Sequence, residues 1–171
     1  MSANLSCLAL AFLTISSCAR NPPAPAPAAT TFEFGTHRVQ AIVPAGWEAL
    51  DQGRQKRFQR GEAEIVLEHL SPLLPLPDWD HLIDWGLMAV DARIGHDQPR
   101  EIKSRRQASI DGRDAIDIET WSRLDHGNPQ RIFLIRDEDS VLALHTPGMA
   151  FPDTLAAFDA IRDSLHFVSV R

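Results

Sequence analysis

Residues 131–146 read RIFLIRDEDSVLALHT. Between Arg131 and Arg136 the apolar residues run without a polar interruption. A strand wet on one face alternates apolar with polar. A short continuous run bounded by turn residues is instead a strand covered on both faces. Asp137 to Ser140 is the turn, and Val141 to Thr146 is the next strand. Strands joined by so short a link must be antiparallel. The stretch therefore predicts a central antiparallel strand that needs one layer of structure above it and another below.

Working outward, Glu101 to Ile110 and Ala115 to Arg123 flank Asp111-Gly112, which signals a type I′ hairpin, and the Gly127-Asn128-Pro129 turn leads on to Arg131. Downstream, Leu155, Phe158, Ile161 and Leu165 mark a helix near Asp153 to Ser164, followed by a short strand from His166 to Val170. Upstream, Asp78 caps a helix from Trp79 to Ile94 that Gly95 stops. Its apolar stripe is Trp79, Leu82, Ile83, Gly86, Leu87, Val90 and Ile94, which leaves Trp85 and Met88 outside. Before it, Lys56 to Arg60 and Ala63 to Leu70 form a hairpin around Gly61–Glu62, with Ile65, Leu67 and His69 pointing one way. His69 reads as a satisfied core histidine rather than a ligand. Thr31 to Val43 is a strand or strand pair broken at Gly35, with His37, Val39, Ala41 and Val43 on one face. The order of elements predicts one α+β domain over residues 32–171: an antiparallel sheet flanked by helices.

Three of these features resemble the Mog1/PsbP-like fold, a group that includes DcrB-type bacterial lipoproteins. They are the Pro44-Ala45-Gly46-Trp47 turn after an early strand, the long helix ahead of the Asp111-Gly112 hairpin, and the C-terminal Phe158-x-x-Ile161-x-x-Ser164-Leu165-x-Phe167 closing on a strand. The resemblance implies a curved antiparallel sheet between helical layers, used as a binding or assembly module. Function does not transfer with such a fold.

Residues 1–17, MSANLSCLALAFLTISS, carry no charged side chain. The apolar stretch from Leu5 to Ile15 has the length of a signal-peptide core and is too short to span a bilayer. Ile15-Ser16-Ser17-Cys18 resembles the bacterial lipobox, in which the cysteine sulfur takes a diacylglycerol and several acyl chains make a stable anchor. Ser17-Cys18-Ala19 also fits an ordinary signal peptidase, which would release a soluble periplasmic protein. Residues 18–31, the candidate lipidated Cys18 and the tract RNPPAPAPAATT, read as a Pro/Ala tether with a reach of roughly 35 Å. Ala19, where an Asp would resemble an inner-membrane retention signal, favours the outer membrane, with the domain facing the periplasm.

The formal net charge of −6, with dispersed positive residues, argues against a nucleic-acid partner. Both cysteines, Cys7 and Cys18, precede the domain, so no disulfide, cysteine-metal or cysteine-nucleophile chemistry is expected in it. Asp78, Asp80, His81 and Asp84 crowd a helix N-terminus, where acids complement the dipole; no metal is expected there. Asp137-Glu138-Asp139 lacks the ligand spacing of a Ca²⁺ loop. No nucleophile elbow or phosphate loop is present, so neither enzyme activity nor a cofactor is expected. What remains is apolar: Trp85 and Met88 off the helix stripe, and Leu73, Leu74 and Leu76 in the preceding SPLLPLP loop. Either the loop folds over the helix and buries both sets, or together they form a partner surface. Two functional readings fit: an envelope binding or assembly module, and an immunity or inhibitor lipoprotein that neutralises a toxin or hydrolase.

Overall fold

The computed structural model describes residues 26–34, 37–94, 101–121, 129–148 and 150–168. Cys18, the signal segment, the start of the tether, the break at Gly35, Gly95, the Gly127-Asn128 turn and Val170 lie outside the described residues. The strands are β1 (Ala28–Phe34), β2 (His37–Val43), β3 (Glu48–Gln52), β4 (Gln55–Arg60), β5 (Ala63–Leu70), β6 (Glu101–Ile110), β7 (Arg113–Trp121), β8 (Pro129–Asp137), β9 (Ser140–His145) and β10 (His166–Val168). The helices are α1 (Trp79–Ile94) and α2 (Pro152–Ser164). The strands form an antiparallel sheet in the order β3-β4-β5-β9-β8-β7-β6 and a smaller antiparallel one in the order β1-β2-β10. This is the expected α+β architecture.

The two faces of β8 and β9 organise the layers. Ile132 and Leu134 of β8, with Val141 and Ala143 of β9, pack into a cluster with Leu82, Ile83 and Val90 of α1. Phe133 and Ile135, with Leu142 and Leu144, pack the other way, against Phe32, Phe34 and Val39 of the small sheet and Phe158 and Ile161 of α2. β8 is thus covered on both faces, as its composition requires. Full burial of each such side chain is favourable by about 1.5–3 kcal/mol relative to exposure.

Local chemistry sets the connections. At the β6–β7 turn both Asp111 (φ 50°) and Gly112 (φ 77°) are left-handed, as a type I′ turn requires. Asp78 caps α1 by accepting the His81 backbone N–H at 3.0 Å. Two elements depart from expectation. β1 starts at Ala28 rather than Thr31, inside the tract read as tether, with Ala28 paired to Val43 and Thr30 to Ala41. Ladder hydrogen bonds to β2 order residues whose own side chains stay largely exposed. β3 carries no apolar alternation; it is an edge strand held to β4 by the ladder and by an ion pair from Asp51 to the buried Lys56.

Gly86 lets α1 sit low on the sheet. A Cβ there would lie 3.2 Å from Leu134 Cδ1 and 3.3 Å from Val141 Cγ2, both in fully buried side chains. Gly86→Ala gains about 1 kcal/mol of helix propensity. The clash with an already dense core costs about 1–3 kcal/mol. The variant is expected to be less stable by about 1 kcal/mol in denaturant melts; a stabilised variant would show that α1 can lift off the sheet freely.

Candidate functional site

A cleft of about 870 Å³ opens where the small sheet, the end of β5, the Pro-rich loop, α1 and the β8–β9 turn meet. Its floor is Asp137, whose side chain is 1% exposed. Strand alternation places Asp137 on the face of Phe133 and Ile135, so it points inward where the apolar packing ends. Three strands bring positive or protonatable partners to it. His37 Nδ1 of β2 lies 3.5 Å from Oδ1, His69 Nε2 of β5 lies 3.4 Å from Oδ2, and an Arg113 guanidinium nitrogen of β7 lies 3.6 Å from Oδ1. The two imidazoles stack with centroids 6.3 Å apart. Burial pushes the Asp137 carboxyl up, but the contact with His69 and the charges of His37 and Arg113 outweigh it, and the group sits below its ordinary range.

Ser140 completes this group. Its Oγ donates to the Asp137 backbone carbonyl at 2.6 Å and lies 2.8 Å from His69 Nε2. Serine and carboxylate thus approach the same histidine nitrogen. In a nucleophilic triad they occupy opposite nitrogens, and the serine proton goes to the histidine. Here the hydroxyl proton is committed to a carbonyl, so the arrangement holds the β8–β9 turn and both sheets together. His69 is therefore a satisfied histidine, though at a cleft rather than deep in the core.

The α1 side of the sheet holds a second buried pair. His145 Nε2 meets Glu68 Oε1 at 2.9 Å, Gln55 donates to Oε2 at 3.0 Å, and Arg93 of α1 stands 3.6 Å from Oε2. Burial raises the Glu68 carboxyl, and these partners more than offset it, so it too is lowered. A third network, beneath α2, joins Asp117 to Arg131 at 2.6 Å and to Arg162 at 2.9 Å.

The structure divides the five apolar residues singled out in the sequence. Leu73 and Leu74 are exposed, at 102% and 76%, as is Met88, at 63%. Trp85 and Leu76 are half-buried and pack against the α1-side cluster. The loop is pinned at Leu76 and projects at Leu73 and Leu74. Leu73 and Trp85 also line the cleft, which ties the apolar surface to it. The other tryptophans differ: Trp47 is buried under Arg60, and Trp121 is 37% exposed with Lys103 Nζ 4.6 Å from its ring centroid. Of the acids at the start of α1, Asp78 is the cap and also meets His81 Nδ1 at 2.7 Å, and Asp84 reaches Arg105 at 3.4 Å. Sequence reading did not connect His37, Asp137 and Ser140. The available signal was the inward phase of Asp137 at the end of β8.

Both lowered carboxyls link stability to pH. Their folded values lie below their unfolded ones, so the unfolded chain takes up protons first as pH falls. The stabilisation is fully present above the ordinary carboxylate range and is lost as pH drops through the folded values. Denaturant melts between neutral pH and about pH 3 should show this decline, and Asp137→Asn should make it shallower. An equally steep acid decline in that variant would remove Asp137 from the account.

A scan against protein-family models finds no match, and a search of curated proteins finds none. Solved structures do match. The solution structure of cyanobacterial PsbP (CyanoP) from Synechocystis aligns with a TM-score of 0.54 at 12% identity, covering 90% of this chain and 99% of that one. The crystal structure of the Saccharomyces cerevisiae Ran-binding protein Mog1p aligns with a TM-score of 0.50 at 12% identity, covering 82% of this chain and 95% of that one. With an α+β pair of antiparallel sheets and two helices in the described residues, the chain has the Mog1/PsbP-like fold.

Proposed function

We propose that this protein is a lipid-anchored bacterial envelope protein, held at the outer membrane through Cys18, whose domain acts by docking a partner protein rather than by catalysis. One observation carries the docking reading: Leu73 and Leu74 of the Pro-rich loop and Met88 of α1 are exposed, and Leu73 lines the cleft together with Trp85. Single exposed apolar residues are ordinary, but an exposed loop leucine that lines a cleft together with a tryptophan is a usual feature of a binding surface. Pro72, Pro75 and Pro77 restrict the backbone that presents the leucines, which lowers the entropy lost on binding. The packing of Leu76 and Trp85 fixes the loop base. The Ran-binding Mog1p shows that a protein of this fold can work through a protein partner. The export reading rests on the uncharged leader and Ile15-Ser16-Ser17-Cys18.

The test places a photo-crosslinking amino acid at position 74 of the full chain in the producing cell, alone and combined with Cys18→Ser or with Leu73→Ser plus Met88→Ser. The doubly substituted domain should melt within about 0.5 kcal/mol of the parent, as surface changes do, and should lose the discrete crosslinked adduct. Cys18→Ser should abolish lipid labelling. An adduct unaffected by the double substitution would overturn the docking surface, and a membrane-held, normally processed Cys18→Ser protein would overturn the anchor.

A further inference from the structure

The chemistry of the cleft states what kind of partner it fits. Its lining holds four carboxylates, Glu33, Asp137, Glu138 and Asp139, against two guanidiniums, Arg54 and Arg93. Half of these charges are already matched. Asp137 is held by His37, His69 and Arg113, Glu33 pairs with Arg38 at 3.0 Å, and Arg93 faces Glu68 at 3.6 Å. Glu138 and Asp139, at the tip of the β8–β9 turn, make no hydrogen bond or ion pair with any described residue, so the unmatched acids outnumber the unmatched Arg54. The same cleft offers Trp85, Leu73 and Pro75 as apolar lining.

We propose that the cleft receives a basic, apolar segment of the partner protein. Aliphatic side chains, and the stems of Lys or Arg, lie along Trp85, Leu73 and Pro75, and the cationic heads meet Glu138 and Asp139. The proposal rests on the docking reading above and adds the sign of the partner's charge. Burying the stem of a Lys or Arg while its head stays at a wet, acidic rim avoids the desolvation cost of a fully buried ion pair.

Glu138 also permits a clean test. It sits at φ 57°, in the left-handed region where glycine is unstrained. The comparable Asp111, at φ 50°, has structural work, since its Oδ2 accepts the Phe167 N–H at 2.6 Å; Glu138 has none among the described residues. Glu138→Gly should therefore melt at or above the parent temperature, so a loss of binding cannot be ascribed to unfolding.

The probes are acetylated, amidated hexapeptides of alternating Lys and Leu or alternating Glu and Leu, titrated calorimetrically into the full chain at low salt. The Lys peptide is expected to bind about tenfold more tightly than the Glu peptide. Glu138→Gly with Asp139→Asn is expected to erase most of that difference. Glu62→Gln, on the separate β4–β5 turn, is expected to leave it intact. Three results would each overturn the proposal. One is no binding of the Lys peptide. Another is an equal loss in Glu62→Gln, which would mean diffuse attraction to a chain of net charge −6. The third is equal binding of both peptides that Leu73→Ser abolishes, which would remove the charge preference and leave the apolar docking surface standing.

Discussion

Ile132 to Ile135 of β8 and Val141 to Leu144 of β9 include no polar side chain, so neither face of this pair can meet water. That constraint generates the rest of the molecule. One face demands a helix with a broad apolar stripe, and α1 meets it with Leu82, Ile83 and Val90, sitting close because Gly86 has no side chain. The other face demands a second layer, which α2 alone does not supply. The small sheet fills the remainder with Phe32, Phe34 and Val39. A three-layer arrangement follows from the composition of a dozen residues at its centre.

The polar groups of interest lie where that constraint ends. A strand keeps its two-residue alternation beyond the point where the covering layers stop, so the next inward-pointing residue enters a gap between layers. Asp137 is that residue on β8, and Glu68 and His145 play the same part on the α1 side. A carboxylate in such a gap is tolerated only with opposite charge or hydrogen-bond donors around it. His37, His69 and Arg113 supply these from three different strands, and in doing so join the small sheet to the large one. The cleft is thus built over a buried carboxylate that neighbouring positive or protonatable groups hold by charge, with no hydrogen bond of good geometry to either oxygen. Leu73 and Leu74 of the Pro-rich loop and the acids of the β8–β9 tip are exposed above it.

What was legible in the sequence was whatever a local pattern determines. The run from Ile132 to Ile135, the Asp111-Gly112 turn and the stripe of α1 each specify their structure within a few residues. β3 was not legible because an exposed edge strand such as Glu48-Ala49-Leu50-Asp51-Gln52 shows no apolar period. The start of β1 was not legible because Ala28 to Thr30 are ordered by pairing with β2, a tertiary effect. The cleft floor joins residues as far apart as His37 and Asp137, which no spacing rule links, although the inward phase of Asp137 was readable. Whether the SPLLPLP loop covered α1 or stood away from it had no local answer either. The contact of Leu76 and Trp85 with the core decides it, and it divides the loop rather than choosing one side.

The burial of both faces makes the β8–β9 pair the expected last part of the domain to open, while the loop that presents Leu73 and Leu74 stays free to engage a partner. Native-state amide hydrogen exchange measures this directly. Amides of Ile132 to Ile135 and Leu142 to Leu144 should exchange only through global unfolding, with the free energy found in denaturant melts, and those of Leu73 and Leu74 should exchange orders of magnitude faster. Exchange of β8 and β9 at a lower free energy than α2 or the small sheet would contradict it.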